Sequence, residues 1–265
     1  MKYKLFVSDF DGTLGMAPAN IEPETVSAVK EYIKRGGKFV ICTGRMFAAI
    51  KPICDKYDLK GLVISYQGAT IDDLTTGKRL LEGGIEYNLA AQITKELLAD
   101  GMPACVDLED VMFCEQESGY TDYHKEFTNV VKVDSLIDLV LQKKKPVMKV
   151  VTTGEPQKIK ELTEKYGNKY KGKVFANNGS TSLLEIVSVD YSKGSSVEFL
   201  AKHFNIPYDQ IIAVGDSTND IELIKGEWHG VAVGDARQEL IAVAKEVTVE
   251  YSKNPVKYLL EKYCL

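Results

Sequence analysis

The 265-residue chain is sparing with the residues that build several common kinds of site. It has five cysteines, Cys42, Cys54, Cys105, Cys114 and Cys264, an odd number whose spacing matches neither a zinc site nor a disulfide framework. Free thiols in a reducing compartment are the expected state, with Cys42, inside an apolar run, a small core residue. The three histidines, His124, His203 and His229, stand far apart and show no metal-ligand or triad spacing, so surface or packing roles are expected for them. No apolar stretch reaches the ~18 residues of a membrane span, and no signal-peptide h-region is present, so a soluble cytoplasmic protein without membrane contact is expected. Positive charge is not in excess. Thirty-three basic against 38 acidic residues leave a net charge of −5, which argues against a non-specific nucleic-acid binder. Lys143-Lys144-Lys145 is the only tight basic run and reads as a solvated helix end. Internal repeats and low-complexity linkers are absent.

What the chain has is an ordinary globular composition, 45% apolar and 27% charged, enough to bury a full core. Leu5-Phe6-Val7, Lys38–Ile41 and Leu62–Ile64 read as buried strands, separated by helical patterns that start near Pro23 and run to about Tyr57. Short loops between alternating strands and helices imply an α/β fold, a parallel sheet with helices on both faces. The grammar changes after Gln67: Thr70-Ile71 and Lys78–Leu81 suggest a hairpin. Residues of about 84–188 then mix helices and strands less regularly, with a turn at Asn177-Asn178-Gly179, as an α+β insert with an antiparallel sheet would. From about 189 the first pattern returns, with a helix over 195–204, strands Ile211–Val214, Val231–Val233 and Val247–Val249, and a closing helix capped by Asn254-Pro255. Residues 1–82 and 189–265 are therefore expected to form one sheet domain, interrupted by an insert over 83–188.

Four stretches fall where such a sheet gathers its ligands, at strand ends or helix starts. Asp9 and Asp11, two residues apart at the end of the first strand, can converge on one point. Two carboxylates in one crevice call for a cation or a shared proton, and a hard divalent ion such as Mg²⁺ suits oxygen ligands. Thr43-Gly44-Arg45 offers a hydroxyl and open backbone N–H groups, a seat for phosphate. Lys193-Gly194 precedes the helix over 195–204 and brings a cation that can offset anionic charge. Gly215-Asp216-Ser217-Thr218-Asn219-Asp220 follows the strongest buried strand, and Asp216 and Asp220, four apart, point toward the same helix start. Each stretch also has an ordinary reading: an Asp-rich turn, a threonine cap, a solvated lysine, a helix N-cap with an acidic first turn.

Together Asp9-Phe10-Asp11-Gly12-Thr13, Thr43-Gly44-Arg45, Lys193 and Gly215–Asp220 resemble the four motifs of the haloacid dehalogenase-like phosphatases, in order. The long insert between the second and third resembles the Cof-type subfamily, whose α/β cap enters there. The resemblance implies a Rossmann-like core and a substrate-selecting cap that closes over the site. It also implies an Mg²⁺-dependent phosphatase acting on small phosphorylated metabolites, sugar phosphates foremost. Asp9 would attack phosphorus to give an aspartyl-phosphate, and Asp11 would protonate the leaving alcohol and then deprotonate the hydrolytic water. That role calls for surroundings that favour neutral Asp11 when substrate binds. Mg²⁺ would be held by Asp9, the Asp11 main-chain carbonyl and Asp216. Thr43, Gly44, Lys193 and Asn219 would bind the phosphoryl group, with Asp220 behind the metal ligands. Gln67-Gly68-Ala69 departs from the Asn-Gly-Ala common in the family, which puts a substrate contact from position 67 in doubt. A phosphomannomutase-like phosphotransferase shares the same first step, and a non-catalytic binding protein on this fold is the third reading. Phe113, Tyr120 and Tyr123 are candidates to face substrate, against the commoner role of packing.

Overall fold

The computed structural model describes residues 1–16 and 20–265, the side chains of residues 179 and 180 excepted. The chain divides into two compact units, Met1–Leu81 with Ser192–Leu265, and Glu82–Tyr191. The first opens with β1 (Leu5–Asp9), α1 (Pro23–Lys34), β2 (Lys38–Cys42), α2 (Phe47–Lys56) and β3 (Leu62–Ser65). The hairpin strands β4 (Thr70–Asp73) and β5 (Arg79–Glu82) follow. The second unit runs through α3 (Tyr87–Ala99), β6 (Cys105–Leu108), β7 (Val111–Cys114), α4 (Gly119–Lys125) and β8 (Asn129–Lys132). It continues with α5 (Leu136–Lys143), β9 (Lys149–Thr153), α6 (Pro156–Lys169), β10 (Val174–Ser180) and β11 (Leu183–Ser188). The chain then returns to the first unit with α7 (Lys193–His203), β12 (Ile211–Gly215), α8 (Ile221–Ile224), β13 (His229–Ala232), α9 (Gln238–Ile241), β14 (Glu246–Val247) and α10 (Pro255–Tyr263).

The sheet of the first unit has the order β14-β13-β12-β1-β2-β3-β4-β5. It is parallel from β14 to β3, and β4 runs antiparallel to β3. β1 lies near its middle with all five residues buried, as an apolar run covered on both faces must be. The chain leaves β1 toward β2 on one side and leaves β12 toward β13 on the other. The order therefore reverses between β1 and β12, and the loops at their carboxyl ends diverge around a crevice. Phe6, Val40, Val63, Ile212 and Val231 lie among the buried residues of this core.

In the second unit the order is β10-β11-β9-β6-β7-β8, antiparallel except for the parallel pair β7–β8. One face packs α3, α5 and α6 through residues such as Ile93, Val140, Ile159, Val106, Val150 and Ile186. Phe113 packs against this core too.

The structure differs from the sequence expectation at several points. The β10–β11 turn sits at Thr181-Ser182, not at Asn177-Asn178-Gly179, because a register shift between Asn177 and Ser180 keeps the strand going. α4 and β8 went unforeseen: α4 has seven residues, and its start is fixed by a Ser118–Thr121 capping box rather than by apolar periodicity. Asn254 stands before α10 as expected, but its backbone is left-handed and its side chain makes no cap bond.

One contact in this frame fixes the entry to α7. Gly68 ends a 3₁₀ turn with φ +115°, and a β-carbon there would lie 2.2 Å from the Ser192 carbonyl oxygen. The Gly68 carbonyl in turn accepts from Ser196 Oγ at 2.7 Å. Gly68→Ala is expected to cost more than about 2 kcal/mol, read as a lowered denaturant midpoint at unchanged slope.

Candidate active site

Asp9 is the last residue of β1 and is 5% exposed. Its Oδ1 accepts from Lys193 Nζ at 2.5 Å, and the same ammonium donates to Asp220 Oδ1 at 2.5 Å. Lys193 does not precede its helix, as expected from sequence, but is the first residue of α7. Ser192 caps that helix through a capping box with Ser195. A long side chain at the first helical position can run down past the helix end into the sheet, and Lys193 does so with 1% exposure. Burial works against its charge, but the Asp220 and Asp9 carboxylates outweigh that and raise its pKa, so it stays an ammonium.

The loop after β12 supplies the rest. Asp216 follows the strand's end and does not open a helix; a 3₁₀ turn, Thr218–Asp220, comes between it and α8. Asp220 is fully buried, and both its oxygens are engaged. Oδ1 faces Lys193, and Oδ2 accepts from the backbone N–H groups of Asp216 and Ser217, each at 3.1 Å. It thus sets the shape of the loop and the place of Lys193. Thr13 Oγ1 donates to Asp216 Oδ1 at 3.0 Å and ties the first motif to the last. Gly12, at φ +83°, lets the two approach: a β-carbon there would sit 2.6 Å from Asp216 Oδ2.

Asp9, Asp216 and Asp220 each place a carboxylate oxygen within 4.8 Å of the others. Burial pushes the Asp9 carboxyl well up; Lys193 opposes this, and the Asp220 and Asp216 charges add to it. Asp216 is raised as well, by burial and then by Asp220. One ammonium among three carboxylates leaves negative charge uncompensated, and an all-oxygen donor set suits a hard divalent cation. Asp220 has no oxygen left for one, whereas Asp9 Oδ2 and Asp216 do.

Thr43 ends just past β2 at 1% exposure, its Oγ1 accepting from the Arg45 backbone N–H at 3.1 Å, which leaves its own hydrogen to give. The Gln67 amide lies against Gly44, and Gln67 is held in the left-handed region at φ 58°. Position 67 therefore packs on the Thr43–Arg45 turn. Asn219 is exposed on the 3₁₀ turn, and among the described residues no hydrogen bond joins it to the carboxylates. Cys42, one residue from Thr43, is a buried thiol that burial pushes up, a core residue as expected.

Asp11 stands at the exposed side. Its side chain is 47% exposed and is forked by Arg45, with Nε to Oδ2 at 2.9 Å and Nη2 to Oδ1 at 2.6 Å. Arg45 also lies over the Phe10 ring, 5.1 Å from its centroid. The partner of the Asp11 carboxylate in this structure is thus a cation. Sequence reasoning passed over Arg45 as a partner, although it stands two residues after Thr43 at the same turn.

Among the described residues no helix is long and apolar enough to cross a membrane. Comparison with known proteins places these features in a family. The haloacid dehalogenase-like hydrolase family matches residues 6–260. A Bacillus subtilis protein, 5-amino-6-(5-phospho-D-ribitylamino)uracil phosphatase, is 26% identical over 286 residues, covering 98% of this chain and 97% of its own. The chloroplastic endoribonuclease YBEY of Arabidopsis thaliana is 26% identical over 281 residues. The match covers 99% of this chain but only 47% of that protein, so the activity in its name stays with it. A crystal structure from Thermotoga maritima superposes with a TM-score of 0.87 at 25% identity, covering 98% of this chain and 97% of that one. Hydrolases of this family use a divalent metal, which the carboxylate set fits. The chain belongs to the haloacid dehalogenase-like hydrolases and, within them, to the Cof-type phosphatases, enzymes that hydrolyse phosphomonoesters.

Proposed function

We propose that the chain is an Mg²⁺-dependent phosphatase that hydrolyses small phosphorylated metabolites, foremost sugar phosphates, through an aspartyl-phosphate on Asp9. The observation that carries this reading is the state of Asp9. It is buried at a strand end, its Oδ1 held by Lys193, with a carboxylate oxygen within 4.8 Å of one from Asp216 and one from Asp220. A nucleophile held this way loses little freedom on attack, and positioning with charge stabilisation is most of what phosphoryl transfer requires.

Asp9, Asp216 and the Asp11 main-chain carbonyl are the groups to hold Mg²⁺. When bound, it neutralises charge between the nucleophile and the phosphoryl oxygens. Lys193 aims Asp9 and opposes the rise that burial imposes on its carboxyl, and Asp220 keeps Lys193 in place. Thr43 Oγ1 and the Gly44 N–H donate to phosphoryl oxygens, with Asn219 at the rim. Asp11 handles the proton, first toward the leaving alcohol and then from water. Arg45 must release Asp11 for this step, and an incoming phosphate offers that guanidinium an alternative anion. The unit Glu82–Tyr191 is the element that selects the substrate. The B. subtilis relative, whose name specifies a phosphorylated ribityl chain, supports a hydroxylated leaving group.

Asp9→Asn is expected to lower Mg²⁺-dependent phosphate release by about a thousandfold or more with an unchanged circular dichroism spectrum. Wild-type turnover in that variant would remove the nucleophile assignment. Asp11→Asn should lose about a hundredfold or more in kcat while its Mg²⁺ affinity, read by calorimetry, stays the same. A matched loss of affinity would place the Asp11 carboxylate on the metal instead.

Metal linkage gives a further expectation. Asp9 and Asp216 have raised pKa values in the fold, so without metal their contribution to stability is present at low pH and is lost as pH rises through those values. Mg²⁺ binds the ionised forms, so its stabilisation grows over the same window, toward about 2.7 kcal/mol at a hundred times Kd. Thermal unfolding in Mg²⁺ and in chelator, across a pH series, should show two curves that diverge as pH rises.

A further inference from the structure

Two of the five cysteines face each other. Cys105 opens β6 and Cys114 ends β7, and the antiparallel register sets them directly opposite. The strands are joined by Glu109-Asp110, both left-handed at φ 53° and 61°, the backbone of a two-residue hairpin turn. Counting back from that turn, Leu108–Val111 and Val106–Phe113 are hydrogen-bonded pairs, and Asp107–Met112 and Cys105–Cys114 are not. The Cys114 carbonyl confirms the count. It accepts from the Val133 N–H at 2.9 Å, on the β8 side, and so points away from β6. In a pair of this kind the α-carbons stand about 4.5 Å apart and the side chains lie closest. Disulfides span α-carbon separations of roughly 4.4–6.8 Å. The two sulfurs can therefore join without a change of register.

The pair lies off the helix-packed core. Val106, Leu108 and Phe113 pack with α3, α5 and α6, so strand alternation sends Cys105 and Cys114 to the other face. Both thiols are free. Cys105 keeps 6% exposure and lines a small cleft with Pro103, Gln116, Ser118 and Tyr120, whereas Cys114 is fully buried. Burial, and then the facing Cys114, push the Cys105 thiol up to about 12, and burial raises Cys114 as well. Thiolate is the attacking species, so exchange here is slow at neutral pH and the pair stays reduced where reductant is in excess. An α-carbon separation at the short end of the disulfide range makes the bond, once formed, easy to reduce. The other three cysteines lie in the first unit, so within Glu82–Tyr191 each of these thiols has only the other as a partner.

We propose that Cys105 and Cys114 are a reversible dithiol–disulfide pair, oxidised by a low-molecular-weight disulfide of the glutathione type. Cys105, reached through the cleft, gives up its proton and attacks one sulfur of the disulfide, releasing the first small thiolate. Cys114 gives up its proton and attacks the Cys105 sulfur of the mixed disulfide, releasing the second. Two protein thiols are oxidised to one disulfide, the small disulfide is reduced to two thiols, and the two protons end on those thiols. Excess small thiol runs the same steps backwards. The proposal is independent of the phosphatase reading.

The test treats the full-length folded protein with excess oxidised glutathione, then alkylates the remaining thiols under denaturing conditions and digests without reductant. A protease that cuts after glutamate cleaves at Glu109 and separates the two cysteines unless a bond joins them. Mass spectrometry should find the Cys105 and Cys114 peptides linked, with Cys42, Cys54 and Cys264 alkylated. Excess reduced glutathione, without denaturant, should return both thiols. Free thiols at both positions after oxidation, a stable glutathione adduct in place of the link, or a link that glutathione does not reverse overturns the proposal. Two variants with unchanged circular dichroism spectra test the route. Cys114→Ala should keep one glutathione on Cys105, and Cys105→Ala should modify Cys114 about tenfold more slowly or less. Equal modification in the two variants overturns entry through the cleft. The wild-type link needs neither variant to fold.

Discussion

The ammonium of Lys193, clamped between Asp9 and Asp220, is the interaction on which the site depends. It bonds the end of β1 to the loop after β12 across the reversal in strand order, and it does so from the first residue of α7. A lysine buried to this degree is tolerated because two carboxylates face it at hydrogen-bond distance. Removing one partner from a buried ion cluster leaves an uncompensated charge, at a typical cost of about 3–5 kcal/mol. The positions of α7, of Gly68 against Ser192 and of the Ser192–Ser195 capping box all serve to bring that side chain in at the right height.

The same clamp divides the carboxylates by task. Asp220 spends both oxygens on Lys193 and on backbone N–H groups, so it shapes the loop. Asp9 gives one oxygen to Lys193 and keeps the other. Asp216 is fixed by Thr13 from one side, with Gly12 leaving it room. Negative charge in excess of the one cation is what makes the site receptive to a divalent metal, and the raised pKa values of Asp9 and Asp216 express the same imbalance. Arg45 holds Asp11 at the exposed side of the site, so the one carboxylate there is already paired with a cation.

The α/β class and the strands that carry the site were legible in the sequence because their signal is local. Leu5–Val7 and Ile211–Val214 are apolar runs followed two residues later by an aspartate, and a buried parallel strand leaves little choice about where that aspartate goes. Lys193 was legible as a cation near a helix start, but not its burial, which depends on partners 184 and 27 residues away. The Arg45–Asp11 fork is likewise a tertiary pairing, across 34 residues, that neither motif announces alone. The helix α4 was invisible because it is short and has no apolar stripe, and the β10–β11 turn moved because a bulge, not the Asn-Asn-Gly signal, set the register. Cys105 and Cys114 were legible as free thiols but not as a facing pair, because that pairing depends on the register that the Glu109-Asp110 turn imposes on β6 and β7.

The central claim is that the buried, lysine-held carboxylate of Asp9 takes the phosphoryl group itself. Acid-quenching the enzyme during turnover of a phosphomonoester with Mg²⁺, followed by peptide mass spectrometry, tests this directly. A phosphoryl adduct should appear on the peptide carrying Asp9, should map to that residue, and should vanish when substrate is exhausted. Sustained phosphate release with a phosphoryl adduct mapped to another residue would contradict the account.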